Sequence, residues 1–281
     1  MISIKKIYKC FFNSVIDLIK HDGIEYAGYL SFLLMLSILP FVFFLTTMLT
    51  FLGINKLNEV IVLLLEKNYI SNIIVFFKPG IDELLTKPPT SLVTFTILSS
   101  IWTSLSFFEA IKISLNRAYR AIDSRSYIIK KITSFLEFFC IIILTIIVVL
   151  TLTTIPIIKE YLKNYFVINT YIFGNENYFL RKIIITIYSF IVITSVYCFI
   201  PNKKSTLLNQ TPGTFIVILS SIVLIRLFNF YIKTFTQLSI IYGSITSVIV
   251  ALLFFYFTSI IFIFGAEFNY NITLNFFKNK N

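Results

Sequence analysis

Long apolar stretches without charge alternate with shorter polar segments along this sequence. Because an α-helix rises 1.5 Å per residue, about 20 apolar residues cross a hydrocarbon core of about 30 Å. The pattern predicts six transmembrane helices, at about 27–52, 90–108, 132–156, 183–200, from Thr211-Pro212-Gly213 to about 232, and 243–266. The predicted fold is therefore all-α, a polytopic helical bundle, since helices satisfy their own backbone hydrogen bonds in lipid.

The first 26 residues show a different periodicity. Apolar residues recur at helical spacing, with lysines and Asp17 between them: Ile4, Ile7, Phe11, Val15, Leu18 and Ile19. This pattern indicates an amphipathic helix in the headgroup region, and it lacks the long apolar core of a signal peptide. The expected organisation is an interfacial segment 1–26, a single transmembrane domain 27–268 and a cytoplasmic tail 269–281.

Prolines mark the predicted helices. Pro40 lies inside the first span, where the lost backbone hydrogen bond predicts a kink, either a hinge or a static bend held by neighbouring helices. Pro156 and Pro201 are expected to end the third and fourth spans. The mixed loops 53–89 and 157–180 then lie on the outer side of the membrane.

Composition supports lipid as the solvent. Hydrophobic residues make up 57% of the chain and charged residues 13%, whereas soluble domains carry about 25% charged residues. The abundance of Ile, Phe, Lys and Asn resembles translation from an AT-rich bacterial genome. We therefore expect a multi-pass protein of a bacterial inner (plasma) membrane.

The net charge of +11 has a simple explanation in a membrane protein. Basic residues flank the cytoplasmic ends of spans and contact anionic lipids. No basic run exceeds two residues, so nucleic acid is not an expected partner. Of the 24 Lys and Arg residues, 14 fall on the side of the N-terminus and nine on the other, which predicts that both termini are cytoplasmic.

Arg226 is the deepest charge in the predicted spans. It follows the start of the fifth span by about fourteen residues, roughly 20 Å along the helix. Its guanidinium could line a polar cavity and bind a phosphate or another anion. Alternatively the side chain snorkels outward, or the span boundary lies elsewhere.

Other charges collect near the predicted cytoplasmic face. The carboxylates are Glu109, Glu137 and Glu267, and the nearby basic side chains are Lys112, Arg117, Arg120, Lys130 and Lys131. They predict either an ion-pair network that fixes helix packing or a gate or proton-linked site. Glu109, Lys112, Asn116 and Arg120 share one helical face, which suits either lipid headgroups or a solvated helix end.

Catalytic chemistry is not indicated. Three dispersed cysteines and one histidine do not support a zinc cluster or a His-based triad. The sequence has no phosphate-binding loop, dinucleotide fingerprint or zinc-protease helix motif. We therefore predict no enzyme activity, no cofactor and no metal. Gly243, Gly265 and Ala266 bracket the sixth span and would allow close helix approach.

Three blocks of sequence resemble the YihY/BrkB family of bacterial inner-membrane proteins. They are EYAGYLSFLLMLSILPF at 25–41, IWTSLSFFEAIKISLNRAY at 101–119, and TPGTF at 211–215 followed by residues 240–269. The last block contains Tyr242-Gly243 before the final span and Gly265-Ala266-Glu267 after it. The resemblance covers most of the chain and implies a six-span protein. Family members have carried ribonuclease, virulence and serum-resistance labels, and some are linked to lipid export.

Two functions follow as hypotheses. In the first, the protein takes part in transport of envelope lipids or anionic substrates. Arg226 contacts the headgroup, the basic stretch with Lys112, Arg117 and Arg120 gathers substrate, and Tyr242-Gly243 forms a turn that orients the last helix. In the second, the protein is a scaffold that recruits envelope-assembly proteins or serves virulence, and loops 53–89 and 157–180 carry the activity. A ribonuclease is not expected, because one histidine does not supply the clustered metal ligands.

Overall fold

The computed structural model describes the backbone of residues 4–51, 93–165, 176–203, 205–234 and 244–277. It describes side chains for residues 6–37, 102–148, 182–203, 205–232 and 248–275. Within these ranges the chain forms seven α-helices and no strand. The helices are α1 (Ile4–Lys20), α2 (Gly23–Phe51), α3 (Val93–Ala118), α4 (Tyr127–Tyr165), α5 (Glu176–Phe199), α6 (Leu207–Thr234) and α7 (Ser244–Ile272), followed by a π-helical turn (Thr273–Phe277).

Four helices are long and apolar enough over their described residues to cross a membrane. These stretches are Tyr127–Val148, Lys182–Phe199, Leu207–Ile232 and Val248–Asn275. The first two predicted spans coincide largely with α2 and α3. The 29 residues of α2 carry no charge after Glu25 and would extend about 44 Å. The all-α fold is thus confirmed for the described residues, whereas six spans and cytoplasmic termini stay predictions.

Helix ends differ from the prediction where proline was expected to stop or start a helix. Pro156 does not end the helix that contains it, because α4 continues to Tyr165. Pro212 lies inside α6, which begins at Leu207. Proline leaves the carbonyl four residues earlier without its usual donor, and at Pro212 the Thr211 hydroxyl donates to that carbonyl, Leu208 O, at 2.9 Å. Pro40 lies within α2, but its side chain is outside the described residues, so its kink stays a prediction.

The predicted tail 269–281 begins inside α7 rather than after it. Asn269 is fully buried and Asn271 is nearly so, and helical backbone continues through Phe277. The polar residues that indicated a tail are therefore packing residues, because their side-chain amides bond to neighbouring helices.

The N-terminal helix has three faces rather than the two that its periodicity indicates. Leu18 is buried, but several of its other apolar side chains are more than one-third exposed, as expected for contact with lipid: Ile7, Phe11, Val15, Ile16 and Ile19. A separate face of small residues is buried against α7, where Asn271 Nδ2 donates to Ser14 Oγ at 3.1 Å. Cys10, on the same face, is also buried. The segment 1–26 is therefore docked on the bundle as well as amphipathic.

Helices α6 and α7 cross at close range where two glycines meet. A Cβ atom on Gly213 would lie 2.2 Å from the carbonyl oxygen of Gly265. A Cβ on Gly265 would lie 2.3 Å from a methyl group of Val217 and 2.7 Å from the Tyr197 hydroxyl. Only glycine fits at both positions, which confirms close approach for Gly265; Gly243 lies outside the described residues.

We predict that Gly213→Ala and Gly265→Ala each lower the free energy of unfolding in detergent micelles by about 1–3 kcal/mol, because each methyl group overlaps a neighbouring helix. Gly28→Ala is the matched control. Its Cβ would meet only Tyr256, at 4.0 Å, so the change should be neutral or stabilise α2 by up to about 1 kcal/mol. Equal losses in all three variants would contradict the close crossing.

Candidate functional site

Polar side chains from four parts of the chain meet at one end of the bundle, called here the polar end. It comprises the end of α1 with the turn that follows, the end of α3 with the turn that follows, the turn between α5 and α6 with the first turn of α6, and the last turns of α7. Its members include Asp17, His21, Asn116, Tyr119, Arg120, Asn202, Gln210, Glu267, Asn269 and Asn271.

Glu267 is the most deeply buried carboxylate at the polar end, with 1% of its side chain exposed. Arg120 forms an ion pair with Glu267 and also lies 3.1 Å from Asp17 Oδ2. His21 Nδ1 lies 3.6 Å from the other Glu267 oxygen. One guanidinium therefore joins α1 and α7 through two carboxylates, which offsets the cost of burying charge.

The backbone at the end of α3 positions Arg120. Ala121 N donates to Asn116 O at 2.8 Å, and Arg120 N donates to Arg117 O at 3.1 Å. This pair of bonds is a Schellman motif, which places a left-handed residue just after the helix. Arg120 occupies that position with φ of 52°, where glycine is usual. The ion pairs of its side chain hold it there despite the strained backbone.

Buried amides fix α6 against α7. Asn269 Oδ1 accepts from Gly213 N at 2.6 Å, and Asn269 Nδ2 donates to Gln210 O at 3.0 Å. The Tyr119 hydroxyl donates to Gln210 Oε1 at 2.5 Å, and burial raises the pKa of Tyr119 above its usual value. Since each amide has a partner, this layer is a rigid support for the charges beside it.

Two further ion pairs join α3 to α4. Lys112 Nζ lies 3.2 Å from Glu137 Oε2 and donates to the Thr133 hydroxyl at 2.9 Å. Lys131 Nζ lies 2.8 Å from Glu109 Oε1. The helical face with Glu109, Lys112 and Asn116 is therefore not a solvated stripe, and Arg120, which was predicted to share that face, lies in the turn after the helix.

A cavity of about 400 Å³, called here the polar cavity, opens beside these pairs. Its charged lining residues come from α3, α4 and the turn between them: Glu109, Lys112, Arg117, Asp123 and Lys130. Arg117 pairs with Asp22, and about half of each side chain is exposed. Among the three cations described in the lining, Arg117 is the most exposed, Lys130 is about one-third exposed and Lys112 is buried.

Asp123 keeps its charge at the rim of the polar cavity. Burial acts to raise its pKa, but hydrogen bonds from Arg125 and the charges of Arg125 and Lys130 outweigh that effect and hold the pKa below its usual value. Arg125 Nε lies 3.0 Å from Asp123 Oδ1. Asp123 therefore stays ionised at neutral pH, and its ion pair with Arg125 stabilises the turn between α3 and α4.

Arg226 lies apart from this group, on the exposed surface of α6. Large apolar side chains near it on the helix are exposed as well: Ile222, Val223, Leu227 and Phe230. No described residue forms an ion pair with Arg226. This placement favours the outward, snorkelling alternative.

Several polar residues at the polar end were not singled out from the sequence. Asp17 and His21 were assigned to a surface helix, and Asn269 and Asn271 to a tail. The sequence does offer one signal for Asn271: it follows Glu267 by four residues, so both lie on the same face of a helix that continues beyond the predicted span. Tyr242 and Gly243 lie outside the described residues. Within the described part of the chain, no three His, Cys, Asp or Glu side chains form a group that could hold a metal ion.

Comparison with known proteins identifies related sequences. The family model described as "Virulence factor BrkB" matches residues 16–280. A Bacillus subtilis protein named "Putative ribonuclease-like protein YfkH" is 28% identical over 255 residues, which cover 89% of this chain and 90% of that protein. A Vibrio campbellii protein named "UPF0761 membrane protein" is 24% identical over 261 residues, covering 92% and 80% of the two chains. No solved structure matches significantly.

We predict a large coupling energy between Arg120 and Glu267. Arg120→Gln alone should cost about 3–5 kcal/mol of unfolding free energy, because it leaves the buried Glu267 carboxylate uncompensated. Glu267→Gln alone should cost less, because Asp17 still pairs with Arg120. The double variant should cost less than the sum, with a coupling of about 2–3 kcal/mol in a double-mutant cycle.

The pair Arg117 and Asp22 is the matched control for that cycle. It uses an arginine from the same segment, but both side chains are about half exposed, so solvent screening should keep the coupling below about 1 kcal/mol. Similar coupling in both cycles would show that burial does not set the strength of the Arg120 pair.

Proposed function

The chain belongs to the virulence factor BrkB family of proteins, and from that premise we propose that it is a multi-pass bacterial inner-membrane protein that takes part in the transport of anionic lipids. The shared chemistry of its substrates is a phosphate or carboxylate headgroup. The observation that carries this proposal is the polar cavity, which is lined by the exposed Arg117 together with Lys112 and Lys130.

An exposed ion pair is well suited to exchange its anion. The attraction between Arg117 and Asp22 is weak because water screens both groups, so a headgroup phosphate can replace the Asp22 carboxylate at low cost. The planar guanidinium binds phosphate with two parallel hydrogen bonds. Arg120 cannot exchange in this way, since removing its pair with Glu267 leaves a buried charge.

The surroundings of the cavity support a lipid over a soluble anion. The chain has four described helices able to cross a membrane, and many large apolar side chains on its helices are exposed. Tyr26 and Tyr127, which line the cavity, have the amphipathic rings that are enriched at membrane interfaces. A headgroup could enter from the adjacent leaflet while its chains remain in hydrocarbon.

The test is a lipid flip-flop assay in proteoliposomes, with fluorescent phosphatidylglycerol, with and without a proton gradient. We expect Arg117→Gln to lower the apparent affinity for the anionic lipid about tenfold or more, the value of a charge-assisted hydrogen bond. Lys20→Gln is the matched control, because it removes one exposed positive charge at the same end but does not line the cavity. Rates equal to those of protein-free liposomes would refute transport.

The variant Arg226→Leu tests whether the headgroup passes through the polar cavity or along the surface of α6. Because Arg226 is exposed on α6, we expect its substitution to leave anionic flip-flop within about twofold of the unmodified protein while membrane insertion is kept. Loss of transport in Arg226→Leu with full activity in Arg117→Gln would move the headgroup path to the surface of α6.

The two rival functions make different predictions. A scaffold predicts no flip-flop, together with loss of cellular function when loops 53–89 or 157–180 are exchanged. The ribonuclease-like name of the Bacillus subtilis relative predicts metal-dependent RNA cleavage. We expect none, because the chain has a single histidine; cleavage by purified protein that a chelator stops would overturn this.

A further inference from the structure

A second cavity, called here the apolar cavity, lies among five helices and has a volume of about 320 Å³. Its lining includes Leu34 of α2, Ser104 and Phe108 of α3, Ile141 of α4, Val192 of α5 and Phe262 of α7. None of the described residues lines both this cavity and the polar cavity. The apolar cavity is therefore a separate feature of the bundle.

Ser104 contributes to this cavity a buried hydroxyl group without a hydrogen-bond partner among the described residues. The residue is 2% exposed. Ser37, which also lines the cavity, donates to Leu34 O at 3.1 Å. A buried hydroxyl without a partner costs about 1–3 kcal/mol, so a partner from outside the chain would be stabilising.

Water is a poor occupant of the apolar cavity. A buried water needs two to four polar partners, and apolar cavities without them stay dry and bind hydrocarbon. An apolar cavity of about 150 Å³ holds benzene, so a cavity about twice that size holds roughly a dozen carbons. The solvent around these helices is hydrocarbon, which supplies chains of that length.

We propose that the apolar cavity binds one acyl chain, whose carbonyl oxygen accepts a hydrogen bond from the Ser104 hydroxyl. The methylene groups contact Phe108, Ile141 and Val192, and the carbonyl oxygen accepts the hydrogen bond that the Ser104 hydroxyl lacks within the described part of the chain. This inference goes beyond the proposed function, because it assigns a chain site that requires neither the polar cavity nor transport.

The test uses the full chain in nanodiscs and two photoactivatable probes, a diazirine fatty acid and a phospholipid with the same diazirine chain. We expect saturable labelling of peptides that contain residues 104–111 or 192–196, reduced by unlabelled chains. Labelling by both probes identifies an acyl chain in general, and labelling by the phospholipid alone identifies an esterified chain. Labelling that rises linearly with probe and is not reduced by competitor would overturn the proposal.

Ser104→Ala should weaken labelling about fivefold, the loss of one hydrogen bond. Ser114→Ala is the matched control, since Ser114 is buried on the same helix and its hydroxyl already donates to Ala110 O at 2.7 Å. Val192→Phe should abolish labelling by filling the cavity. Unchanged labelling in both Ser104→Ala and Val192→Phe would place the chain elsewhere.

Thermal stability of delipidated protein gives a second readout that does not depend on the probe. Ser104→Ala removes an unsatisfied hydroxyl and should leave the melting temperature unchanged or raise it, whereas Ser114→Ala breaks a formed bond and should lower it. A lower melting temperature in Ser104→Ala would show that its hydroxyl already has a partner. Failure of the flip-flop assay would leave each of these outcomes unaffected.

Discussion

The ion pair between Arg120 and Glu267 is the contact on which the polar end of the bundle depends. Glu267 lies within the longest of the apolar stretches able to cross a membrane, so its charge needs a partner that the helix itself cannot supply. Arg120 provides it from the turn after α3, and Asp17 adds α1 to the same guanidinium. Three segments far apart in sequence are held together by one compensated charge.

Burial divides the basic residues near this cluster into two roles. Arg120 and Lys112 are paired where water has little access, so they fix helix positions. Arg117 is paired where water screens the bond, so it can exchange its carboxylate for another anion. The same kind of side chain therefore forms a buried ion pair between helices at one position and an exposed, screened ion pair three residues away.

The helical face with Glu109, Lys112, Asn116 and Arg120 shows how far sequence periodicity extends. Periodicity correctly places Glu109, Lys112 and Asn116 on one α-helix, whereas Arg120 lies in the turn after that helix, and the four residues contact different neighbours. Glu109 and Lys112 contact α4, Asn116 Oδ1 accepts from Asn202 N at 2.7 Å, and Arg120 reaches α7. From the sequence alone this face could equally contact lipid headgroups, because periodicity shows which side chains share a helical face but not whether that face meets lipid, water or another helix.

The sequence by itself determined the membrane environment and, for the described residues, the all-α fold and the approximate position of each helix, because hydropathy and helical spacing are local properties that neighbouring helices do not alter. It also identified Glu267 and Gly265 as residues of interest in the last span. Only the tertiary structure decided that Gly265 meets Gly213, that Asn269 and Asn271 are packing groups, and that Ser104 faces an apolar cavity. Those outcomes depend on which helices approach each other, and a single chain's pattern carries no distance between them.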